Sequence, residues 1–380
     1  MNKNNKILIS LVVIIIVIIL GSLLINNKPA STEPIKFGFI APLTGDAAIY
    51  GTDERNATAL AVQEINNAGG VNGRKIEVLY EDGKCNGKDA ANSAQKLVNV
   101  DQVRVIIGGG CSSETLAAAP VAEANKVILF SPFSSSPAIT DAGDYVFRNY
   151  PSDSEVVRQQ ARLVINYGYK KIAIISENSD YAISSKTIFS DEVKKQGAQI
   201  VADEIFAQGA RDFKTNILKI KSANPDAIFI NPQSGVTGGL LLKQLREMGV
   251  NTQAFSYFVF GDKDAIKTAG SAINGMIYFD TVGLITAKGQ AFNDKYIAQF
   301  GQIQSSAYGV GAQYDAVHIL ANAEAKCSDD TACIKNYLYK MSPYDGVIGK
   351  YNFDSNGDIK GISALVPKIV KNGVAELYIK

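Results

Sequence analysis

Residues 103–120 read VRVIIGGGCSSETLAAAP. A β-branched apolar run, Val103–Ile107, meets three glycines, a cysteine and two serines, and an alanine-rich stretch follows. The pattern predicts a strand, a tight turn and a helix starting near Ser113. Glycines let a backbone approach a ligand with no Cβ in the way. The start of a helix offers N–H groups to something negative, and two hydroxyls stand beside them. The letters exclude two phosphate loops. A dinucleotide loop needs G-x-G-x-x-G, and its last position here is Ser113; a Walker-type loop needs G-K-[ST], and no lysine follows the glycines. The plainer alternative is that Ser112 or Ser113 only caps the helix.

Outward from this stretch, strand and helix patterns alternate. IKFGFIA precedes a helix over Asp53 to Ala68, KIEVLYE precedes one over Lys88 to Val100, and VILF follows the quoted segment. Then come KIAIIS, a helix over Ala182 to Gln196, QIVADEIF, a helix over Phe213 to Ser222, DAIFINP, a helix over Val236 to Met248, and a strand over Gln253 to Tyr257. Such alternation predicts parallel sheets covered by helices on both faces. Two runs of it predict an α/β chain of two doubly wound, Rossmann-like lobes, joined near NYPSDS (Asn149 to Ser154). Ligands bind at the strand ends of such sheets. The loops there, PLTGDAAIYG, EDGKCNG, GGGCSSE, SPFSSSP, SENSDYA and NPQSGVTGG, are rich in Ser, Thr, Gly and Tyr. They form a hydrogen-bonding surface without a catalytic engine.

With 380 residues the chain can build two cored domains. Its 38 basic and 37 acidic residues leave a net charge of +1, which argues against nucleic acid as a partner. A single histidine, His318, excludes a His-based catalytic pair and a multi-His metal site; it sits in the helical pattern GAQYDAVHIL and reads as structural or exposed. Ser93-Ala-Gln-Lys96 matches S-x-x-K but lies within a helical pattern and lacks its companion motifs. Asp354-Ser-Asn356-Gly-Asp358 resembles a calcium loop, yet Ile359 and Leu365 stand where glycine and glutamate are required, so it reads as a turn. The chain reads as a non-enzyme that needs no metal and no cofactor.

The N-terminus reads as a short basic region, MNKNNK, followed by the uncharged run Ile7–Ile25, nearly long enough to span a bilayer. Lys3 and Lys6 precede it, which places the N-terminus in the cytoplasm and everything after it outside. The expectation is an uncleaved signal anchor, one transmembrane helix, with cleavage after the run as the alternative; residues 26–34 form a polar linker. Outside the cytoplasm disulfides persist. Cys327 and Cys333 lie close together around SDDTA and pair as a clip, leaving Cys85 with Cys111 in loops at strand ends; the spacings match no zinc finger or ribbon.

The segment IKFGFIAPLTGDAAIYGTDERNATALAVQEINNAGGVNGRKIEVLYEDGKCNGKDA resembles type I periplasmic solute-binding proteins of the branched-chain amino-acid (leucine/isoleucine/valine) ABC transporter family. So do VRVIIGGGCSSETLAAAP, VILFSPFSSSPAIT, KKIAIISENSDYA and GKYNFDSNGD. The resemblance covers about residues 35–380. It implies two lobes joined by three hinge crossings, with lobe 1 over 35–151 and 281–353 and lobe 2 over 152–280 and 354–380, after an anchor and linker over 1–34. It implies that a small solute, an amino acid or similar, is captured in an interlobe cleft and passed to ABC permease subunits, with the protein held at the membrane by its N-terminal helix. A cysteine pair around the first lobe's binding loops recurs in the leucine binders, here Cys85 and Cys111. The serine after the second cysteine holds the ligand carboxylate, here Ser112, with Ser113 beside it. The S-P-x-x-[ST] loop supplies a carbonyl and a hydroxyl, here Phe133, Ser134 and Ser135. Tyr50 and Tyr181 match aromatics of the two lobes, and Gln233 a further wall. Leucine binders hold the ligand ammonium with a glutamate; in TQAFSYFVFGD that position falls near Phe258, and the nearest acid is Asp262. Either Asp262 is recruited or the ligand lacks an α-ammonium, as a small amide or carboxylate would, since a buried unpaired ammonium is costly. A ligand-sensing ectodomain is the alternative output.

Overall fold

The computed structural model describes residues 33–362 and 365–379. The expected anchor over Ile7–Ile25 lies outside them. No helix among the described residues is long and apolar enough to cross a membrane.

The chain begins with β1 (Ile35–Ala41), α1 (Ala48–Asn67), β2 (Ile76–Asp82), α2 (Gly87–Asn99), β3 (Val105–Gly108), α3 (Ser112–Asn125), β4 (Ile128–Ser131) and β5 (Val146–Arg148). Its five strands form one parallel sheet in the order β2-β1-β3-β4-β5. Side chains alternate across a strand. Val105 and Ile107 therefore pack with Ala57, Leu60 and Ala61 of α1 on one face, and Ile106 packs with Leu97 of α2 and Ala118 and Ala122 of α3 on the other. Both faces are covered, which is why these strands are continuous apolar runs rather than alternating ones.

Helix α1 starts at Ala48, earlier than the predicted Asp53. Asp53 resembles an N-cap in sequence, but it is buried and its carboxylate accepts hydrogen bonds from Tyr296 Oη (2.7 Å) and from the N–H groups of Gln304 and Ser305 (both 2.9 Å). Gly51 lets the early turn lie against β1's exit, since a Cβ there would come within 2.3 Å of the Pro42 carbonyl oxygen.

The second lobe follows with α4 (Asp153–Asn166), β6 (Lys171–Glu177), α5 (Asp180–Lys195), β7 (Gln199–Phe206), α6 (Lys214–Ala223), β8 (Ala227–Asn231), α7 (Gly235–Glu247), β9 (Gln253–Tyr257), α8 (Lys263–Ala269) and β10 (Ile277–Thr281). The chain then returns through α9 (Ala287–Phe300), α10 (Ala307–Cys327) and α11 (Thr331–Lys340) to a small antiparallel sheet, β11 (Tyr344–Gly346), β12 (Gly349–Phe353) and β13 (Ile359–Lys360). Tyr308, Leu320, Tyr351 and Phe353 of this segment share the first lobe's core with Phe130 and Phe147. Finally β14 (Leu365–Lys371) adds antiparallel to β10 and β15 (Val374–Leu377) antiparallel to β14, completing the order β15-β14-β10-β9-β8-β6-β7. The chain thus passes between the sheets after β5, after β10 and after β13.

One boundary differs from expectation. Residues 354–360 stay with the first lobe rather than the second. Arg148 is completely buried at the end of β5 and needs a counter-charge; Asp358 supplies it at 2.6 Å, while Ser136 O and Thr140 Oγ1 take further guanidinium protons. An unpaired buried guanidinium would be strongly destabilising, so this pair draws the turn and β13 back to β5.

Candidate ligand-binding site

The three glycines of the opening stretch are steric necessities. At Gly108 φ is +137°, and a Cβ would come within 2.0 Å of Ile40 O; at Gly109 it would come within 2.3 Å of Thr115 Oγ1, and at Gly110 within 2.5 Å of Glu54 Oε1. Neither serine caps the helix. Cys111 is the N-cap residue and α3 begins at Ser112. Glu114, fully buried, turns back to accept the N–H groups of Cys111 (3.0 Å) and Cys85 (2.9 Å). Burial pushes its carboxyl up to about 7 against those two bonds. The disulfide Cys85–Cys111 ties the two loops together, and Cys327–Cys333 closes the clip after α10.

With capping done by Glu114, the two serines part company. Ser113 Oγ donates to Cys85 O (3.1 Å), so Ser113 braces the disulfide loop and faces a wider cleft of about 490 Å³ with Asn86 and Ser179. Ser112 Oγ accepts the N–H of Ser136 (3.1 Å). A hydroxyl has one proton and two lone pairs, so Ser112 keeps a donor.

Ser112 lines a small interlobe cavity with Gly110 and Cys111 at the N-terminal end of α3, where N–H groups and the helix dipole favour an anion. The loop after β4 adds Phe133, Ser134 and Ser135; the first lobe also gives Tyr50, from the first turn of α1. The second lobe contributes Tyr181 at the start of α5, Gln233 after β8 and Phe258 after β9. None of these side chains is charged. The cavity measures about 20 Å³, room for one or two water molecules. Ser134 presents only its backbone, since its hydroxyl is committed to Gly109 O (2.8 Å) and Thr115 Oγ1 (2.8 Å). The buried Oε1 of Gln233 has no partner among the described residues.

Two carboxyls stand behind lining residues, Asp262 bonded to Tyr50 and Asp153 bonded to Ser135, and neither lines the cavity itself. Asp262 is 2% exposed and accepts the Tyr50 hydroxyl across the cleft at 2.6 Å. Burial raises its affinity for a proton, and the Tyr50 bond opposes that. Asp262 is therefore already engaged. Asp153 is the carboxyl that the sequence reading missed. It opens α4, fully buried, and its N–H donates to Ser135 O (2.8 Å). Its Oδ2 accepts from Ser135 Oγ (3.1 Å) and Ser185 Oγ (2.6 Å), whereas Oδ1 has no partner among the described residues. Burial pushes it up to about 7, with the two serine bonds and Arg148 pulling down. In the sequence it follows Ser152 in NYPSDS and reads as an ordinary acid in a helix's first turn. Only the buried hinge position of that turn was a usable signal.

Besides Tyr50–Asp262 and Ser135–Asp153, two further contacts close the lobes on each other: Asp46 with Arg211 (2.7 Å) and Lys263 N with Gln304 O (3.4 Å).

Comparison with known proteins agrees with this arrangement. A family model described as periplasmic binding protein matches residues 34–365. The Leucine-, isoleucine-, valine-, threonine-, and alanine-binding protein of Pseudomonas aeruginosa is 28% identical over 343 residues, 88% of this chain and 90% of that one. The Leu/Ile/Val-binding protein of Escherichia coli K12 is 28% identical over 356 residues, 91% of this chain and 94% of that one. Among solved structures, the branched-chain amino acid transporter substrate binding protein LivJ from Streptococcus pneumoniae, in complex with isoleucine, superposes with a TM-score of 0.80 at 30% identity, covering 91% of this chain and 99% of that one. Two doubly wound lobes, a cleft at their strand ends and a family match over most of its length together establish that this chain belongs to the periplasmic binding protein family, whose place is outside the cytoplasm.

Proposed function

We propose that this chain captures a small α-amino acid outside the cytoplasmic membrane and delivers it to the permease of an ABC importer. The observation that carries the reading is the placement of two unlike polar ends on either side of one residue. Ser112 and the start of α3 suit a carboxylate; the free oxygen of Asp153 suits an ammonium; Ser135 stands between them, bonded to Asp153 and adjacent to the Ser136 N–H that reaches Ser112. An α-amino acid carries both charges on one carbon. Asp153 takes the role that Asp262, engaged by Tyr50, leaves unfilled. The three relatives described above are amino-acid binders by name, which supports the same ligand class.

In this reading the Phe133 carbonyl and Ser135 hydroxyl meet the ammonium side, Tyr50, Tyr181 and Phe258 wall the side chain, and Gln233 Oε1 accepts from the ligand. Contacts from both lobes favour the closed state, and closure is what the permease reads. The apolar run Ile7–Ile25 holds the protein at the membrane as an uncleaved anchor; soluble protein with an N-terminus near residues 26–32 would refute that part.

The test is a thermal-shift screen of the full chain in detergent against amino acids, their amides and small carboxylates, since a ligand of the native state raises the melting temperature. At least one amino acid should raise it, and its analogue lacking the ammonium should not. A rise with small carboxylates alone would remove the ammonium seat at Asp153, and a rise with the amino-acid amides alone would remove the carboxylate seat at Ser112.

A further inference from the structure

The wall of the cavity bears on which side chain a ligand can carry. Three rings meet there pairwise, two from the first lobe and one from the second. Their centroids lie 5.5 Å apart for Tyr50 and Phe133, 5.9 Å for Phe133 and Phe258, and 6.1 Å for Tyr50 and Phe258. Two of the rings cannot retreat. Phe133 stacks on Tyr150 at 5.4 Å and lies so close to Gly309 of α10 that a Cβ there would come within 2.0 Å of it. Tyr50 is held by its hydrogen bond to Asp262.

Phe258 projects from a short 3-10 turn, Phe258–Gly261, that follows β9. Val259 and Phe260 of that turn are buried, and Gly261 sits against Tyr278, where a Cβ would come within 2.9 Å of the hydroxyl. The turn's backbone is fixed, so the only adjustable part is the ring itself. It is also the most exposed of the three, 9% against 2% for Tyr50 and 5% for Phe133. The whole cavity, of which these rings form one wall, is about 20 Å³. Any ligand seated here must therefore displace Phe258 or part the lobes, and each side-chain carbon adds to that displacement, which a close-packed interior resists.

We infer that Phe258 is the specificity-determining side chain of the cleft, and that it restricts the ligand to one with a small side chain, of the size of glycine, alanine or serine. The inference rests on the amino-acid reading above, and goes beyond it by naming the side-chain class and the residue that sets it. In the amino-acid reading the apolar Phe258 ring, packed on Tyr50 and Phe133, meets the ligand's side chain, so its replacement should alter preference among side chains rather than the need for an ammonium.

The experiment is calorimetric titration of the full chain in detergent with glycine, alanine, serine, leucine and isoleucine, for the wild type, Phe258→Leu and Phe258→Ala. The wild type should prefer alanine to leucine by about 10-fold or more, since a single methylene is worth roughly 10- to 200-fold in a tight apolar pocket. Both variants should narrow or invert that ratio, Phe258→Ala more than Phe258→Leu. A melt of each variant checks folding, and Phe258→Leu, which keeps an apolar side chain in the turn, carries the result if Phe258→Ala does not fold. Equal wild-type affinity for alanine and leucine, or an unchanged ratio in a folded variant, overturns the inference while leaving the amino-acid reading intact. If no amino acid binds but short carboxylates do, the amino-acid reading falls alone. Acetate, propionate and 4-methylpentanoate then form the size series, with the same inversion expected in the variants and a flat series overturning the role of Phe258.

Discussion

Asp153→Asn separates a binding role for this carboxyl from a purely structural one. Asparagine keeps the shape and removes the charge. Burial raises Asp153 from its ordinary 3.8 to about 7. The folded state therefore holds the proton more tightly than the unfolded chain does. Its stabilising contribution is complete below the unfolded value and is lost as pH rises through about 7. A shift of about three units, at about 1.4 kcal/mol each, amounts to about 4 kcal/mol. The groups that face it, Ser135, Ser185, Arg148 and the tyrosines 150, 181 and 257, remain in the variant. Other buried acids pushed up to about 7, Glu114, Glu177 and Asp315, titrate alike in both proteins and cancel in the difference. Urea denaturation from pH 4 to 8 should show the wild type losing stability relative to Asp153→Asn, by up to about 4 kcal/mol. Binding should move the opposite way. A ligand ammonium needs the carboxylate, so wild-type affinity should fall about tenfold per pH unit below about 7, with a proton released on binding. The variant should bind about 10- to 150-fold more weakly near neutral pH, the worth of a charged hydrogen bond, and should release no proton from this position. Calorimetry in two buffers of different ionisation heat counts that proton. Parallel denaturation curves would refute the burial argument. Unchanged affinity with no proton released would refute the ammonium seat.

Three other outcomes follow from the same geometry. Ser112→Ala removes an anion donor and leaves the Ser136 N–H without its acceptor, so affinity should fall about 10- to 150-fold and stability by about 1–3 kcal/mol, read by titration and melting; an affinity unchanged by the mutation would make Ser112 a purely structural residue. Asp358→Ala strips buried Arg148 of its counter-charge and should cost about 3–5 kcal/mol in chemical denaturation, with Asp358→Asn recovering part of it. Replacing Cys85 and Cys111 together by serine should lower stability by about 2–4 kcal/mol and weaken binding, because the loop that carries Ser112 loses its tie; a variant as stable as the wild type would sink this.

The alternation of apolar runs with helical stretches was enough to identify two doubly wound lobes, because strand period and helix period are local properties of the chain. The loops at the strand ends were legible as a hydrogen-bonding surface, while the individual residues Tyr50, Ser112, Phe133, Ser135, Tyr181, Gln233 and Phe258, which line one cavity, followed from the resemblance to the family. What the sequence could not reveal is which polar groups are already spent. Ser113 looks identical to Ser112 until Cys85 O is found beside it. Asp262 looks like the available acid until Tyr50, 212 positions away, is seen to hold it. Asp53 resembles a helix cap, yet serves Tyr296 and the segment before α10. Residues 354–360 follow a first-lobe strand in order, but their place is decided by Arg148, 210 positions earlier. Local pattern carries information over one or two helical turns. The free or engaged state of a buried carboxyl depends on partners that only folding brings within hydrogen-bonding distance, which is why only the tertiary structure shows that Asp153, an unremarked acid at a helix start, bonds Ser135 through one oxygen and keeps the other without a partner among the described residues.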